Sequence, residues 1–442
     1  MAKDALGNFV TTGSDATIAA IDVYTTDWIG YGTRLRSIFE AADADPSCAL
    51  VNAQAAAVHM ALEAATGFAA ARPYLKRARV NGRYASVNEQ MFVAAVVAWS
   101  NGDTAKAMAT FRKLVTLQPT DIATAKWAQY HAFNLGDAAA MRDIAQTIMP
   151  AHKDTAEAWG MLAFGLEQSH ELGAAEDAAR RALSLKRAEP WAHHALAHVM
   201  DTQGRVDEGV DFLTWHSHTW ADRSIFVREH NFWHLALFHL DRDEPEKALR
   251  IFDNNLWGTW PEFAQEQIGA ISALWRLELR GVNVGERWAP IVEQVLARWH
   301  EHILPFHDLH FVYALARAGR IAEARAFIAS LARHGEGDER GVWDGVALPV
   351  AQALLAYAQG RHETAANLLA PQLSQLWRIG GSHAQRDVFV QTWIDAALRA
   401  GQTSAALDML ARRVEARPTV GVARRMLSDV QNARHRQMAM AS

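Results

Sequence analysis

The sequence predicts an all-α fold, a solenoid of helical hairpins curled into a superhelix with a concave groove or central cavity. Three observations support this prediction. Short glycine turns recur along the chain, the apolar residues between them follow helical spacing, and alternating strand patterns are absent. Such a recurring unit is typical of a repeat architecture, in which each unit buries its apolar face against the next. We expect one solenoid over residues 1–442, with repeats from about 15 to 430 and a polar tail over 432–442.

The turns set the repeat length. From the first glycine turn to the last, the mean step is about 37 residues when one glycine-free turn at Leu240–Asp243 is counted. A glycine at this position adopts the left-handed conformation that ends one helix before the next begins. The predicted turn glycines are Gly102, Gly136, Gly173, Gly204, Gly281, Gly319, Gly360 and Gly401.

The stretch from Trp159 to Pro190 is the clearest unit. Its Trp-x2-Leu-Ala-x2-Leu start, together with Ala182 and the closing proline, approximates the tetratricopeptide pattern, with Ala163 and Leu166 in place of the usual Gly and Tyr. In arrays of this type the first helix of each pair lines the concave surface, where ligands bind. We therefore look for chemistry on the helix that precedes each turn.

Composition and charge exclude several classes of protein. The 442 residues are 50% hydrophobic, and 44 Lys and Arg against 49 Asp and Glu give a net charge of −5, which argues against a nucleic-acid partner. Cys48 is the single cysteine, so a disulfide framework and a thiolate metal site are excluded. No apolar leader or 18-residue apolar run is present, so we expect a cytoplasmic protein with no membrane contact. Phosphate-binding, dinucleotide and Gly-x-Ser-x-Gly motifs are also absent.

Histidine is concentrated in one part of the chain, since 12 of the 20 lie within residues 193–310. Two His-x3-His pairs occur there, His194 with His198 and His230 with His234, and 36 residues separate the pairs. Spacing of four residues places both rings of a pair on one helix face. Because 36 residues is about one repeat, we expect the pairs to face the same groove and interpret all four as metal ligands.

Other polar residues recur at similar phase. Asp201 shares the helix face of the first pair, and His310 follows His234 by 76 residues, or about two repeats, with Asp308 beside it. We expect Asp201, Asp308 and His310 to be catalytic residues that complete the metal shell or support it.

A third segment, around residue 386, supplies candidate substrate contacts. Arg386 would hold a substrate carboxylate with two parallel hydrogen bonds. Gln385 and Trp233 are the other predicted substrate-binding residues. The alternative is that Arg386 and Asp387 form a buried ion pair that joins two helices.

Tryptophan is abundant, with 16 in the chain, and most are expected to pack repeats together. A subset surrounds the histidine-rich repeats and would form the wall of a pocket for an aromatic or apolar ligand. This subset is Trp215, Trp220, Trp233, Trp257 and Trp260.

Over its whole length the sequence resembles the tetratricopeptide repeat protein 38 family, which includes the bacterial StaR-like proteins. The motifs that carry the resemblance are His194-x3-His198, His230-Asn231-x-Trp233-His234, Asp253, Asp308-x-His310 and Gly380-Gly381-Ser382-x-Ala384-Gln385-Arg386-Asp387. Asp201 stands where the family pattern has Glu. The resemblance implies a helical repeat fold whose polar inner positions belong to the family pattern, and members near glycopeptide-antibiotic clusters suggest hydroxylation of an aromatic amino acid.

Three functions remain as hypotheses. The first is an enzyme that holds zinc, manganese or iron in the groove and acts on a small substrate, which in one form of the hypothesis is aromatic. Under this hypothesis, hydrolysis of an amide or ester is favoured over iron-dependent oxidation. The second is a non-catalytic scaffold for a protein or peptide. The third is a metal-free acid–base enzyme that uses the same His and Asp side chains. A small-molecule partner is expected under the first, and a homo-oligomer is left open.

Overall fold

Helices account for most of the structure. The computed structural model describes residues 2–338 and 340–441. These residues form 23 α-helices and two short strands, Ala2–Lys3 (β1) and Phe9–Val10 (β2), which pair antiparallel with Ala2 opposite Val10. The prediction of an all-α helical repeat fold is confirmed, and the superhelical curl stays a prediction.

Helices that are adjacent in sequence pack against each other along the N-terminal part of the chain. The bounds of the helices there are Asp15–Gly30 (α1), Ser37–Ala44 (α2), Ala49–Met60 (α3), Ala65–Gly82 (α4), Val87–Ser100 (α5), Thr104–Leu117 (α6), Ile122–Asn134 (α7), Ala138–Ile148 (α8), Ala156–Gln168 (α9), Leu172–Leu185 (α10) and Pro190–Gln203 (α11).

The C-terminal part of the chain continues the same pattern with longer connections. Its α-helices are Val206–His216 (α12), Ile225–Asp241 (α13), Pro245–Ile251 (α14), Ala264–Leu279 (α15), Trp288–Arg298 (α16), Pro305–Arg317 (α17), Ile321–Gly335 (α18), Leu348–Ala358 (α19), His362–Leu369 (α20), His383–Arg399 (α21), Thr403–Ala416 (α22) and Gly421–Ala441 (α23). Short 3₁₀ segments lie at Ser217–Trp220, Gly285–Arg287 and Ala370–Ile379, and π-helical segments lie at Phe252–Leu256 and Trp343–Ala347.

The chain forms two compact units. The first comprises Met1–Leu196 and His218–Arg228, and the second comprises Ala197–Ser217 and Glu229–Ser442. The single continuous solenoid expected from the sequence therefore stays a prediction. Where a polar tail was expected, α23 continues to Ala441, and Ser442 lies outside the described residues.

Left-handed residues end the first helix of most repeats, as the turn prediction requires. Seven of the eight predicted glycines have φ between 71° and 82°, and the glycine-free turn has its own left-handed residue, Asp243, at φ 63°. The eighth prediction was wrong. Gly173 lies inside α10, and the left-handed residue of that turn is His170, with φ 59°.

The corrected position makes the first repeats regular. Gly102, Gly136, His170 and Gly204 follow one another at intervals of 34 residues, while the later steps lengthen to between 38 and 41. The His170 N–H donates to the carbonyl of Glu167, just as the Gly102 N–H donates to the carbonyl three residues before it. The hydrogen-bonded turn, rather than the glycine, is thus the repeating feature.

Two of the turns also carry the start of the next helix. Asp103 and Asp137 directly follow turn glycines, and their carboxylates accept hydrogen bonds from the backbone N–H groups of Lys106 and Ala140. A carboxylate at this position satisfies an N–H group that has no partner within the helix. The Gly-Asp dipeptide therefore ends α5 and α7 and begins α6 and α8.

Aromatic side chains fill the core of the first unit. Trp127 is fully buried, donates its indole N–H to the Tyr24 hydroxyl at 2.6 Å and stacks on Trp28 at 4.0 Å between ring centroids. His131 lies in the same core, edge-on to Trp99 at 4.7 Å. Burial lowers the pKa of His131 to about 3, so its ring is neutral in the folded protein at pH 7.

Acid should therefore destabilise the protein partly through His131. The unfolded chain takes up a proton near pH 6.5 and the folded chain only near pH 3, so stability is fully present above about 6.5 and is lost as the pH falls through this window. Between pH 7 and pH 5, the free energy of unfolding of His131→Phe should fall by about 2 kcal/mol less than that of the parent protein. Urea unfolding at both pH values measures this difference, and an identical pH dependence of the two proteins would contradict it.

The core of the second unit is also aromatic. Trp275 is fully buried, stacks on Tyr313 at 3.7 Å between centroids and contacts the edge of Phe389. Gly209 lets α12 approach α13 closely, because a Cβ atom there would lie 2.3 Å from the buried ring of Phe238. The two helices therefore pack at a distance that only glycine permits.

Two glycine substitutions in the second unit should change stability in opposite directions. Gly209→Ala forces the Phe238 ring to move and should cost about 1–3 kcal/mol. Gly269→Ala, in the interior of α15 with open space around the added Cβ, should stabilise by about 0.5–1 kcal/mol. Urea unfolding of both variants tests this, and equal effects of the two would show that the close approach is relieved elsewhere.

Candidate metal centre

Four histidines lie on two helices, α11 and α13. Each helix carries a pair at spacing four, so both rings of a pair occupy one face. His198 and His234 contact each other with ring centroids 4.4 Å apart, and His230 lies 5.0 Å from His234. His194, one turn before His198 on α11, stacks on Trp191 at 4.1 Å.

One potential ligand atom from each of these residues lies within 4.8 Å of the other three. We call His194, His198, His230 and His234 the histidine cluster. It is the group of ligating side chains found in the described part of the chain that could hold a metal ion. The four histidines singled out by their spacing are thus close together, as the metal-ligand hypothesis requires.

Three of the cluster rings, those of His198, His230 and His234, are held in the form that binds metals. Burial lowers the pKa of His198 and of His234 well below the usual value, and neighbouring positive groups lower both further. Burial also lowers the pKa of His230 to about 4. Neutral imidazole is the species that donates a nitrogen lone pair to a metal, so at pH 7 these rings need lose no proton to bind one.

Trp233 packs against the cluster. Its ring is parallel to His230 at 5.4 Å between centroids and nearly perpendicular to His234 at 5.0 Å. The Arg276 guanidinium lies 5.1 Å from the centre of the same indole. Trp233 is 2% exposed, so the structure places it in the packing around the cluster; its role in substrate binding stays a prediction.

Arg276 was not singled out in the sequence. It is buried on α15 and donates to the backbone carbonyls of Ala384 and Gln385 at 2.7 and 3.2 Å. These bonds fix the start of α21 against α15. A charged residue within the apolar run from Ile268 to Leu277 was the available signal, because such a charge is buried only when it is paired.

The side chains of Gln385 and Arg386 bond to the start of α21. Gln385 and Ser382 form a reciprocal cap, in which the Gln385 side-chain oxygen accepts from the Ser382 N–H at 2.8 Å. Arg386 donates to the carbonyl of Gly381 and lies 3.3 Å from Nδ1 of His383. Both residues therefore have local structural contacts, and their predicted contacts with substrate remain predictions.

Asp387 forms an ion pair, but with a different partner from the one considered. Both of its carboxylate oxygens accept from Arg413 on α22. The Arg413 charge holds the pKa of Asp387 well below its usual range despite burial. Asp387 therefore joins α21 to α22 through an ion pair, but its partner is Arg413 and not Arg386.

Asp201 is also engaged in an ion pair. It accepts from Arg417 at 2.7 Å, and Arg417 bonds to Asp241 through the same nitrogen at 2.5 Å. Burial raises the pKa of Asp201 to about 6, against the opposing effect of Arg417. The group of potential metal ligands does not include Asp201, so its catalytic role stays a prediction. Asp253, for which the sequence predicts no specific role, accepts a hydrogen bond from Arg287 at 2.7 Å.

Asp308 and His310 are buried on α17 and lie outside the group of potential ligands. Asp308 accepts from Nδ1 of His302 at 2.5 Å. His310 donates from Nδ1 to the Phe306 carbonyl at 2.8 Å, and its Nε2 has no hydrogen-bond partner among the described residues. Burial lowers the pKa of His310 to about 3. Their catalytic roles are untested predictions.

A cavity of about 270 Å³ lies in the second unit, one helical turn beyond His198 and His234. Leucines from α13 and α15 line part of its wall, while His383 and Arg276 lie both at this wall and near the cluster. The charged lining residues balance each other: Asp201, Asp241, Asp387, Asp395, Arg276, Arg280, Arg413 and Arg417.

Within this lining, Arg280 is the least satisfied charge. Its closest carboxylate oxygen, on Asp241, is 3.9 Å away, its Nη1 contacts the sulfur of Met426 at 3.6 Å, and its Nε has no hydrogen-bond partner among the described residues. A guanidinium with open donors is suited to bind a carboxylate with two hydrogen bonds.

The tryptophans expected to wall a pocket differ in exposure. Trp220 is fully buried and donates to His193 at 3.1 Å, whereas Trp215 is 65% exposed on α12. Trp260 is 38% exposed and stacks on Phe263. A shared pocket wall therefore stays a prediction.

Comparison with known proteins gives a family for part of the chain. A family model described as tetratricopeptide repeat (TPR) matches residues 190–213, which span α11 and most of α12. The match covers one helical hairpin, and together with the helical repeats it shows a TPR-like fold.

Several solved structures are similar to the chain at low identity. The Pseudomonas aeruginosa pilF structure is 17% identical, covers 65% of this chain and 98% of its own, and gives a TM-score of 0.28. The human IFIT1 dimer with m7Gppp-AAAA is 14% identical over 98% of this chain and 96% of its own, with a TM-score of 0.44. The P58(IPK) TPR domain is 12% identical over 80% and 99%, with a TM-score of 0.23.

The hydropathy of the helices tests whether any of them could cross a membrane. In residues 2–338 and 340–441, no helix combines the length and apolar character that crossing a bilayer requires.

Proposed function

We propose that this TPR-like protein is a metal-dependent enzyme whose metal is held by the histidine cluster. The observation that supports the proposal is the mutual approach of the four imidazoles to within 4.8 Å. Three of them, His198, His230 and His234, belong to the second unit and supply three nitrogen ligands, the number found in many catalytic zinc sites.

The donor set narrows the choice of metal. Imidazole without thiolate suits zinc, manganese or iron in a site that keeps open positions, and Cys48 lies at the start of α3, outside the cluster. A bound zinc or manganese would lower the pKa of a water molecule for hydrolysis, whereas iron would support oxygen chemistry. We propose hydrolysis of an amide or ester in preference to oxidation, and the identity of the bound metal distinguishes the two reactions.

The cavity next to the cluster supplies a place for a small substrate. Its leucines favour an apolar body, and the open donors of Arg280 favour a carboxylate. Membership of the tetratricopeptide repeat protein 38 family, an aromatic substrate and a cytoplasmic location are part of the same proposal. Homo-oligomer formation is left open.

Metal analysis tests the proposal directly. Protein purified without a histidine tag should contain about one equivalent of zinc, manganese or iron, and a chelator should lower its melting temperature, because a ligand that binds only the folded state stabilises it. His198→Gln and His234→Gln should each reduce the metal content below about 0.2 equivalents.

His239→Gln is the matched control, because His239 lies on α13 but bonds to Glu244 at 2.7 Å instead of joining the cluster. It should retain the full metal content. A parent protein with less than about 0.2 equivalents of any transition metal, and a melting temperature unchanged by chelator, would overturn the proposal.

A protein-binding scaffold is the second candidate function. The observation that favours it is the TPR match itself, since TPR arrays commonly bind peptides or proteins, and Trp215 exposes a large apolar surface on α12 within the second unit. A stoichiometric partner lost in Trp215→Ala but retained in metal-free His198→Gln would support the scaffold. If both variants still bind the partner, the surface around Trp215 is excluded as the binding site.

A further inference from the structure

A second histidine centre lies in the second unit, apart from the residues of the cluster. His302 Nδ1 is 2.5 Å from Oδ2 of Asp308, and His302 Nε2 is 2.8 Å from Oγ of Ser330. The three side chains form one continuous line of hydrogen bonds from carboxylate through imidazole to hydroxyl. This is the geometry in which a histidine removes the proton of a serine nucleophile while an aspartate orients its ring.

The fold fixes each member from a different element. Asp308 lies in the first turn of α17, Ser330 lies on α18, and His302 belongs to the short connection between α16 and α17. His302 has φ 47°, in the left-handed region that non-glycine residues rarely adopt. Both nitrogens of its ring bond to neighbouring side chains, which fix the orientation of the imidazole.

The hydrogen bonds define where the protons lie. An ionised carboxylate only accepts, so Nδ1 of His302 carries the proton donated to Asp308, and Nε2 presents its lone pair to the Ser330 hydroxyl. Burial raises the pKa of Asp308 to about 6, and the hydrogen bond from His302 opposes this rise. The imidazole is thus set in the tautomer that a general base requires.

Exposure increases along the line from the carboxylate to the hydroxyl. Asp308 is 2% exposed and His302 is 7% exposed, while Ser330 is half-buried. His334, one turn after Ser330 on α18, is exposed, and its ring centroid lies 5.0 Å from that of His302. The serine is therefore the least buried of the three hydrogen-bonded residues.

We propose that Ser330 is a nucleophile activated by His302, with Asp308 as the positioning residue, and that this centre accepts the acyl group of small carboxylic esters. The activity is separate from the proposed metal chemistry, because none of the three residues belongs to the histidine cluster.

The chemistry balances without a cofactor. Ser330 Oγ bonds to the ester carbonyl carbon as its proton passes to His302 Nε2, and the alkoxide then leaves with that proton as an alcohol. Water attacks the acyl-serine in the same way and gives its proton to His302. The carboxylic acid is released, and the Ser330 hydroxyl regains its proton.

A fluorophosphonate tests the nucleophile on the full-length protein. Ser330 Oγ should form the phosphorus–oxygen bond, fluoride should leave, and mass spectrometry should locate one adduct on Ser330. Labelling of Ser330 should be at least about 10-fold faster than labelling of Ser184, an exposed helical serine that serves as the internal reference. Chelator should leave the rate unchanged, which separates this outcome from failure of the metal proposal.

Variants test the two supporting roles. Asp308→Asn should slow labelling at least about 10-fold, because an amide in that position no longer fixes the tautomer. His302→Ala should do the same, with partial recovery on addition of imidazole, which a structural role alone would not give. Adding Asp308→Asn to His302→Ala should slow labelling no further.

Two results would overturn the proposal. One is labelling of Ser330 no faster than labelling of Ser184 in a folded protein, as judged by an unchanged circular dichroism spectrum. The other is fast labelling that persists in both Asp308→Asn and His302→Ala, which would show that the hydrogen-bonded line does not activate the hydroxyl.

Discussion

The left-handed residue at the end of each first helix is the constraint on which the rest of the structure depends. It fixes where one helix stops and therefore which face of the next first helix meets its neighbour. His198 lies six residues before Gly204, and His234 lies nine residues before Asp243. The offset of three residues is close to one helical turn, so both rings keep the same face and meet at 4.4 Å.

Local patterns predicted what depends on local geometry. The helical repeat, seven glycine turns and the four histidines follow from periodicity and from spacing of four residues within a helix. The turn at His170 was missed, because a histidine in the left-handed conformation carries no glycine to mark it. A strict 34-residue phase was the signal that would have placed it.

Long-range charge pairing was beyond prediction from the sequence. Asp201 meets Arg417 across 216 residues, and Arg276 bonds to the carbonyl of Ala384 across 108. Helical spacing says which face a charged residue occupies but not which distant residue it meets. Because a buried charge is stable only when it is paired, these partners decide whether Asp201 and Asp387 remain available to a ligand.

The partner of an imidazole determines what chemistry it can perform. In the histidine cluster, His198 and His234 face each other in a buried setting that keeps both rings neutral, which suits nitrogen ligation of a cation. His302 instead has a carboxylate at one nitrogen and a hydroxyl at the other, which suits proton transfer. One residue type, abundant in one region of the sequence, thus supplies two centres, and the groups around each ring distinguish a metal ligand from a base.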